Sequence, residues 1–127
     1  MKPLSILIVD DNIAARKLLR SVLAGIDQRT MISEATSGAE AIRHIKISLC
    51  NIVFLDIEMP DKNGLEVLKE ILVEVPDQFV VMVSANATIV NVKKSVELGG
   101  KGFIVKPYAG EKVKAALARY LLIKTQA

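Results

Sequence analysis

Five side chains in this sequence are suited to act together: the adjacent Asp10 and Asp11, then Asp56, Ser84 and Lys106. The Asp10-Asp11 pair, Asp56, Ser84 and Lys106 follow on short apolar runs, namely Leu4–Val9, Ile52–Leu55, Phe79–Val83 and Phe103–Val105. Two unit charges about 4 Å apart repel by about 4 kcal/mol at an effective dielectric near 20, so three gathered carboxylates need a proton or a cation among them. Oxygen donors without His or Cys select a hard divalent ion, Mg²⁺ first and Mn²⁺ or Ca²⁺ behind it. Because Mg²⁺ keeps several waters, a substrate oxygen can enter its shell. An ammonium and a hydroxyl beside such an ion suit a phosphoryl group, whose charge is spread over several oxygens. Neither a Gly-x-x-x-x-Gly-Lys-Ser/Thr loop nor a Gly-x-Gly-x-x-Gly run is present, so the phosphoryl donor is not expected to be ATP itself.

The elements that must position these groups alternate along the chain. The four apolar runs are rich in β-branched residues and show no alternation, as strands buried on both faces do. Thr30–Glu34 is a weaker fifth run. Between them lie segments with helical spacing: Leu18/Val22 with Leu19/Leu23, then Ala41/Ile42/Ile45/Leu49, Leu65/Leu68/Leu72, Ile89/Val92/Val96 and Val113/Leu117/Tyr120/Leu121. All five stripes are expected in the core. Asn12 and Ser37 stand at helix N-cap positions, Ser37 with Glu40 as a capping box. Gly25, Gly99-Gly100 and Pro76 are expected to end helices, and Thr125–Ala127 to fray. A fivefold strand–helix alternation predicts a parallel sheet with helices on both faces. Right-handed crossovers leave few topologies, among them the flavodoxin-like doubly wound order 2-1-3-4-5. In that order strands 1, 3, 4 and 5 are contiguous. Their polar C-terminal ends converge on one crevice, while the chemically bland end of strand 2 stands aside.

Composition narrows the function classes. The 127 residues carry 17 Lys+Arg and 14 Asp+Glu, a net charge of +3, with 51% hydrophobic residues. This is the make-up of one globular domain. Basic residues are dispersed among acids and Trp is absent, so nucleic-acid binding is not expected. A single cysteine, Cys50, and a single histidine, His44, exclude a disulfide framework and an imidazole- or thiolate-based metal site. Cys50 is read as packing and His44 as a surface residue. No apolar run reaches the roughly 18 residues of a spanning helix, and no signal peptide precedes the first strand. A cytoplasmic location without membrane insertion is expected.

Four pieces, in order and at fitting spacings, carry a resemblance: Ile8-Val9-Asp10-Asp11-Asn12, Leu55-Asp56-Ile57-Glu58-Met59-Pro60 with Asn63-Gly64 beyond, Ser84-Ala85, and Phe103-Ile104-Val105-Lys106-Pro107. Together they resemble the receiver domain of two-component response regulators, of the small chemotaxis-regulator type. The resemblance runs from about Leu4 to about Leu122, so residues 1–127 are expected to be one receiver domain with no output domain.

The resemblance implies that Asp56 accepts a phosphoryl group from a sensor histidine kinase or a histidine phosphotransfer protein. It implies that Asp11 binds Mg²⁺ directly and Asp10 largely through water, with Asp56 and the backbone carbonyl of Glu58 completing the set. Lys106 would pair with a phosphoryl oxygen and Ser84 would hydrogen-bond another. Lys106–Pro107 is expected to be cis. Output to a downstream protein is expected through the fourth helix, fifth strand and fifth helix, with Ser84 and Phe103 as the switch pair and the chain a monomer or weak dimer. Phe103 departs from the Tyr of many family members, so any switching there rests on packing; the competing reading is a core aromatic. Glu58 and Asn86, two residues beyond Asp56 and Ser84, are read as tuning phosphoryl lifetime, against a plain reading as solvated loop residues. Catalysis is expected to extend to the chain's own phosphorylation and dephosphorylation, without turnover of a separate substrate. Two other functions fit parts of the same pattern. An aspartyl-phosphate phosphatase would want a second acid two residues after the nucleophile, where Glu58 stands, but the Asp-x-Asp-x-Thr pattern is missing. A receiver-like interaction module, or a receiver excised from a larger regulator or kinase, is the other.

Overall fold

The computed structural model describes residues 2–126. Five strands, β1 (Ser5–Val9), β2 (Met31–Ala35), β3 (Ile52–Asp56), β4 (Phe79–Ser84) and β5 (Gly102–Val105), alternate with α1 (Ile13–Ile26), α2 (Gly38–Ile47), α3 (Gly64–Glu74), α4 (Ile89–Glu97) and α5 (Gly110–Gln126). The strands form one parallel sheet in the order β2-β1-β3-β4-β5. This is the flavodoxin-like arrangement expected from the alternation. No helix among the described residues is long and apolar enough to cross a membrane.

Every residue of β3 and β4 is buried, because helices cover both faces of the central strands. Their side chains divide by parity. Ile6, Ile8, Phe54, Val81 and Val83 pack with Leu19, Leu23, Val113, Leu117 and Tyr120 from α1 and α5. Leu7, Val9, Val53, Leu55, Val80 and Met82 pack with Ala41, Ile45, Val67, Leu68 and Ile71 from α2 and α3. The edge strands differ: Met31 of β2 and Val105 of β5 are exposed, since an edge strand lacks a flanking neighbour to shield it.

Helix starts follow the expected chemistry. Asn12 Oδ1 accepts from Ala15 N–H at 2.9 Å and Ser37 Oγ from Glu40 N–H at 3.1 Å. Asp61 also accepts from Gly38 N–H at 3.1 Å, tying α2 to the loop after β3. Gly99 sits at φ 100° just after α4, where a left-handed residue ends the helix.

Several expectations are corrected. Gly25 lies inside α1, which ends at Ile26 with Asp27 as its C-cap. Leu49 lies beyond α2 and is exposed, as is Leu18 on the outer side of α1. The α4 stripe is not core: Ile89 is 85% and Val96 68% exposed. Of α4, only Ser95 is buried, because this short helix covers the end of the sheet beside an edge strand. Helix α5 continues through Thr125 to Gln126, while Ala127 lies outside the described residues.

Candidate functional site

The C-terminal ends of β1, β3, β4 and β5 bring the five reactive side chains to one edge of the sheet. Asp10 and Asp56 are buried, Asp11 is exposed, and ligand-capable oxygens of all three lie within 4.8 Å of one another. Among the described residues this is the one group of three or more such side chains. Lys106 enters from the end of β5, its Nζ 2.7 Å from Asp10 Oδ2 and 3.4 Å from Asp56 Oδ2. The Lys106–Pro107 peptide is cis. Asp10 Oδ2 is buried, and the Lys106 ammonium is the partner set against it.

The loops are held from outside the cluster. Asn12 N–H donates to Asp10 Oδ1 at 2.9 Å. Arg16, one turn into α1, donates from one guanidinium nitrogen to the Asp10 carbonyl at 2.8 Å and from Nε to Glu34 Oε1 at 2.8 Å. A second arginine, Arg20, holds the other Glu34 oxygen at 2.7 Å. Glu34 is thereby kept ionised below the usual carboxylate range, with the Arg20 hydrogen bond the main cause. On the far side, Gly64 N–H donates to the Ile57 carbonyl at 2.7 Å and closes the loop after β3. Glu58 N–H donates to Asp56 Oδ1 at 3.3 Å.

These groups shape the electrostatics. Burial, followed by the charge of Asp10, pushes the Asp56 carboxyl up to about 7, against the opposing pull of Lys106. Burial works against the charge of Lys106, but Asp10 and Asp56 outweigh it and raise its affinity for the proton. Tyr108 is buried nearby, and its hydroxyl is held protonated by burial and by the same two acids. The site is thus an anionic, half-desolvated oxygen cluster with one cation beside it. Three carboxylates with one lysine between the two buried ones, and an all-oxygen donor set, fit a hard divalent ion.

Ser84 is buried at the end of β4. Its Oγ lies 2.9 and 2.8 Å from the two carboxylate oxygens of Glu58 and accepts from Asn86 N–H at 2.9 Å. Glu58 is an exposed loop residue, as its plain reading has it, and its carboxylate is also engaged: it bonds Ser84 and accepts from Ala85 N–H at 3.2 Å. Asn86 is exposed, and its backbone carbonyl accepts from Asn91 Nδ2 at 3.1 Å. Phe103 is half-buried against the α2–α3 side of the core, paired in register with Met82, so it is neither fully core nor free. His44 is half-buried on α2, away from the cluster. Burial pushes the Cys50 thiol up to about 11, which leaves it unreactive. Arg16, Tyr108 and the Ala85 N–H were not singled out from the sequence; nothing in their residue types marks them, and only the folded loops bring them in.

A parallel 2-1-3-4-5 sheet with an acid cluster, a lysine and a hydroxyl on its carboxyl edge defines a class, and comparison with known proteins agrees. The chain matches the response regulator receiver domain family over residues 6–118 and belongs to it. It is 35% identical over 116 residues to the chemotaxis protein CheY of Listeria monocytogenes, covering 91% of this chain and 97% of that one. With the Thermotoga maritima protein of the same name it shares 36% over 114 residues, covering 88% and 92%. Among solved structures, a CheY-like receiver domain from Methanospirillum hungatei superposes with a TM-score of 0.89 at 24% identity, covering 98% of each chain. Membership of this CheY-like family implies phosphoacceptor signalling.

Proposed function

We propose that this chain is a phosphoacceptor switch, phosphorylated on Asp56 by a sensor histidine kinase or a histidine phosphotransfer protein in a Mg²⁺-dependent reaction. The observation that carries the reading is the meeting of Asp10, Asp11 and Asp56 within 4.8 Å, with Lys106 alongside and Ser84 at the end of the neighbouring strand. Asp10, Asp11, Asp56 and the Glu58 backbone carbonyl would hold Mg²⁺, with Mn²⁺ as a substitute. Bound there, the ion supplies charge neutralisation between the carboxylates and the incoming phosphoryl oxygens.

In the transfer, a carboxylate oxygen of Asp56 attacks phosphorus, a P–O bond forms, and the P–N bond of the donor phosphohistidine breaks. The imidazole leaves with the electron pair. Lys106, already ion-paired to both buried acids, follows the negative charge onto a phosphoryl oxygen, and the Ser84 hydroxyl donates to another. Hydrolysis reverses the modification when water attacks phosphorus and the bond to Asp56 breaks, and Glu58 and Asn86 flank that path. Displacement of Ser84 opens room for Phe103 to turn inward. The α4–β5–α5 face then changes shape for a downstream protein. Exposed Ile89, Val90, Val96 and Val105 give that face an apolar surface for docking. Moving such an equilibrium from 1:99 to 99:1 takes about 5.5 kcal/mol, within reach of a few charge-assisted hydrogen bonds. The chain works in the cytoplasm, as a monomer or weak dimer.

The test is incubation with acetyl phosphate, with Mg²⁺ or with EDTA. One phosphoryl group per chain is expected with Mg²⁺ and none with EDTA. No incorporation, or sustained release of phosphate from a phosphomonoester, would contradict the proposal, the latter in favour of a phosphatase.

A further inference from the structure

Before any phosphoryl group arrives, the Ser84 hydroxyl already has an anionic partner. Oγ lies 2.9 Å from Glu58 Oε1 and 2.8 Å from Oε2. A hydroxyl has a single hydrogen to donate. Asn86 N–H already donates to Oγ at 2.9 Å, so the hydrogen is left to choose between Glu58 and the Asn86 carbonyl at 3.0 Å. A bond to a carboxylate is roughly twice as strong as one between neutral groups, so the hydrogen goes to Glu58. The same carboxylate accepts from Ala85 N–H at 3.2 Å. Glu58 reaches these donors from a loop fixed at both ends: its own N–H bonds Asp56 Oδ1, and Gly64 N–H closes onto Ile57. One short segment therefore bears on the carboxylate that accepts the phosphoryl group and on the hydroxyl that reads it.

We propose that Glu58 is a built-in competitor for the phosphoryl oxygen: its carboxylate occupies the Ser84 hydroxyl and Ala85 amide donors in the resting chain and must release them for the phosphorylated state to form. This deepens, and rests on, the reading of Asp56 as phosphoacceptor. Glu58 acts here as a positioning residue, through Ser84 rather than on phosphorus. A carboxylate two residues from Asp56 could also act by plain repulsion of an incoming anion. The two differ in one respect: repulsion does not need Ser84, whereas competition for its hydroxyl does.

A double-mutant cycle on the full chain separates them. Beryllofluoride, which coordinates a carboxylate oxygen as a phosphoryl mimic, is titrated with Mg²⁺ into wild type, Glu58→Gln, Ser84→Ala and the double variant, followed by ¹⁹F NMR. Glu58→Gln keeps length and shape but removes the charge, and is expected to bind about tenfold more tightly than wild type. In the Ser84→Ala background the same change is expected to gain less than threefold. In the resting protein, the Ala85 amide resonance is expected to shift in Glu58→Gln. Glu58→Asp, one methylene too short to reach, should behave like Glu58→Gln if both variants give folded amide spectra. An undiminished gain in the Ser84→Ala background would overturn the proposal in favour of repulsion, and so would no gain at all with wild type binding normally. Absence of binding by wild type would overturn the phosphoacceptor reading and this proposal with it.

Discussion

At Asp56, burial and the Asp10 charge outweigh the attraction of Lys106, and the carboxyl is pushed up to about 7. An unfolded aspartate titrates near 3.9, so between about pH 4 and pH 7 the folded chain binds more protons than the unfolded one. Stability then falls as pH rises through that window. Without metal, Asp56→Asn is expected to melt several degrees above wild type at pH 8, with the gap closing towards pH 5. Adding Mg²⁺ should raise wild type more than the variant. Equal melting of the two proteins at pH 8 in EDTA, followed by circular dichroism, would contradict this. At this scale the sequence told much. The Asp10-Asp11 pair, Asp56, Ser84 and Lys106 stand at the ends of apolar runs, so their types and the strand order placed them at one sheet edge. The Glu58–Ser84 contact and the Arg16 bond to the Asp10 carbonyl were not legible. They depend on rotamers and loop paths that spacing does not encode.

Helix α3 begins directly beneath the strand that ends in Asp56, and Gly64 makes this possible. A Cβ there would fall on the Asp56 carbonyl oxygen and 2.7 Å from Ile57 Cα. Both are backbone atoms of the strand end that carries the site and have little room to yield. Gly64→Ala is expected to cost about 3 kcal/mol, a drop of roughly 10 °C in Tm for a chain of this size. The Mg²⁺ affinity should fall alongside, because the shift is transmitted to Asp56. Gly25→Ala makes the control: nothing lies within 4 Å of its added Cβ and it lies in the last turn of α1, so that change should be neutral or mildly stabilising. The contrast also shows why element boundaries were only partly readable. Gly25 reads as a helix end in the sequence, yet Asp27 caps α1. Apolar spacing was equally ambiguous on α4, where Ile89 and Val96 follow the helical period but face outward. Periodicity marks an apolar side of a helix without saying what covers it.

For the whole molecule, the alternation of runs and stripes narrowed the sheet to a few orders, because right-handed crossovers and double-sided burial of the central strands exclude most alternatives, and the observed order is one of those few. That order converts residues 10, 56, 84 and 106, distant in the chain, into neighbours, and beside them stand the exposed apolar residues of α4 and β5, Val105 pairing with Ser84. The two regions are linked through β4 and β5, which pair from Val81↔Gly102 to Ser84↔Val105, so the proposed modification at the first has a direct route to the second. The account stands or falls on where the phosphoryl group goes. Peptide mapping by mass spectrometry, after brief exposure of the intact chain to acetyl phosphate and Mg²⁺, addresses this directly. The expected result is a single phosphoryl mass on the peptide containing Asp56, absent from Asp56→Asn. Modification located elsewhere, or retained in Asp56→Asn at the wild-type level, would contradict the account.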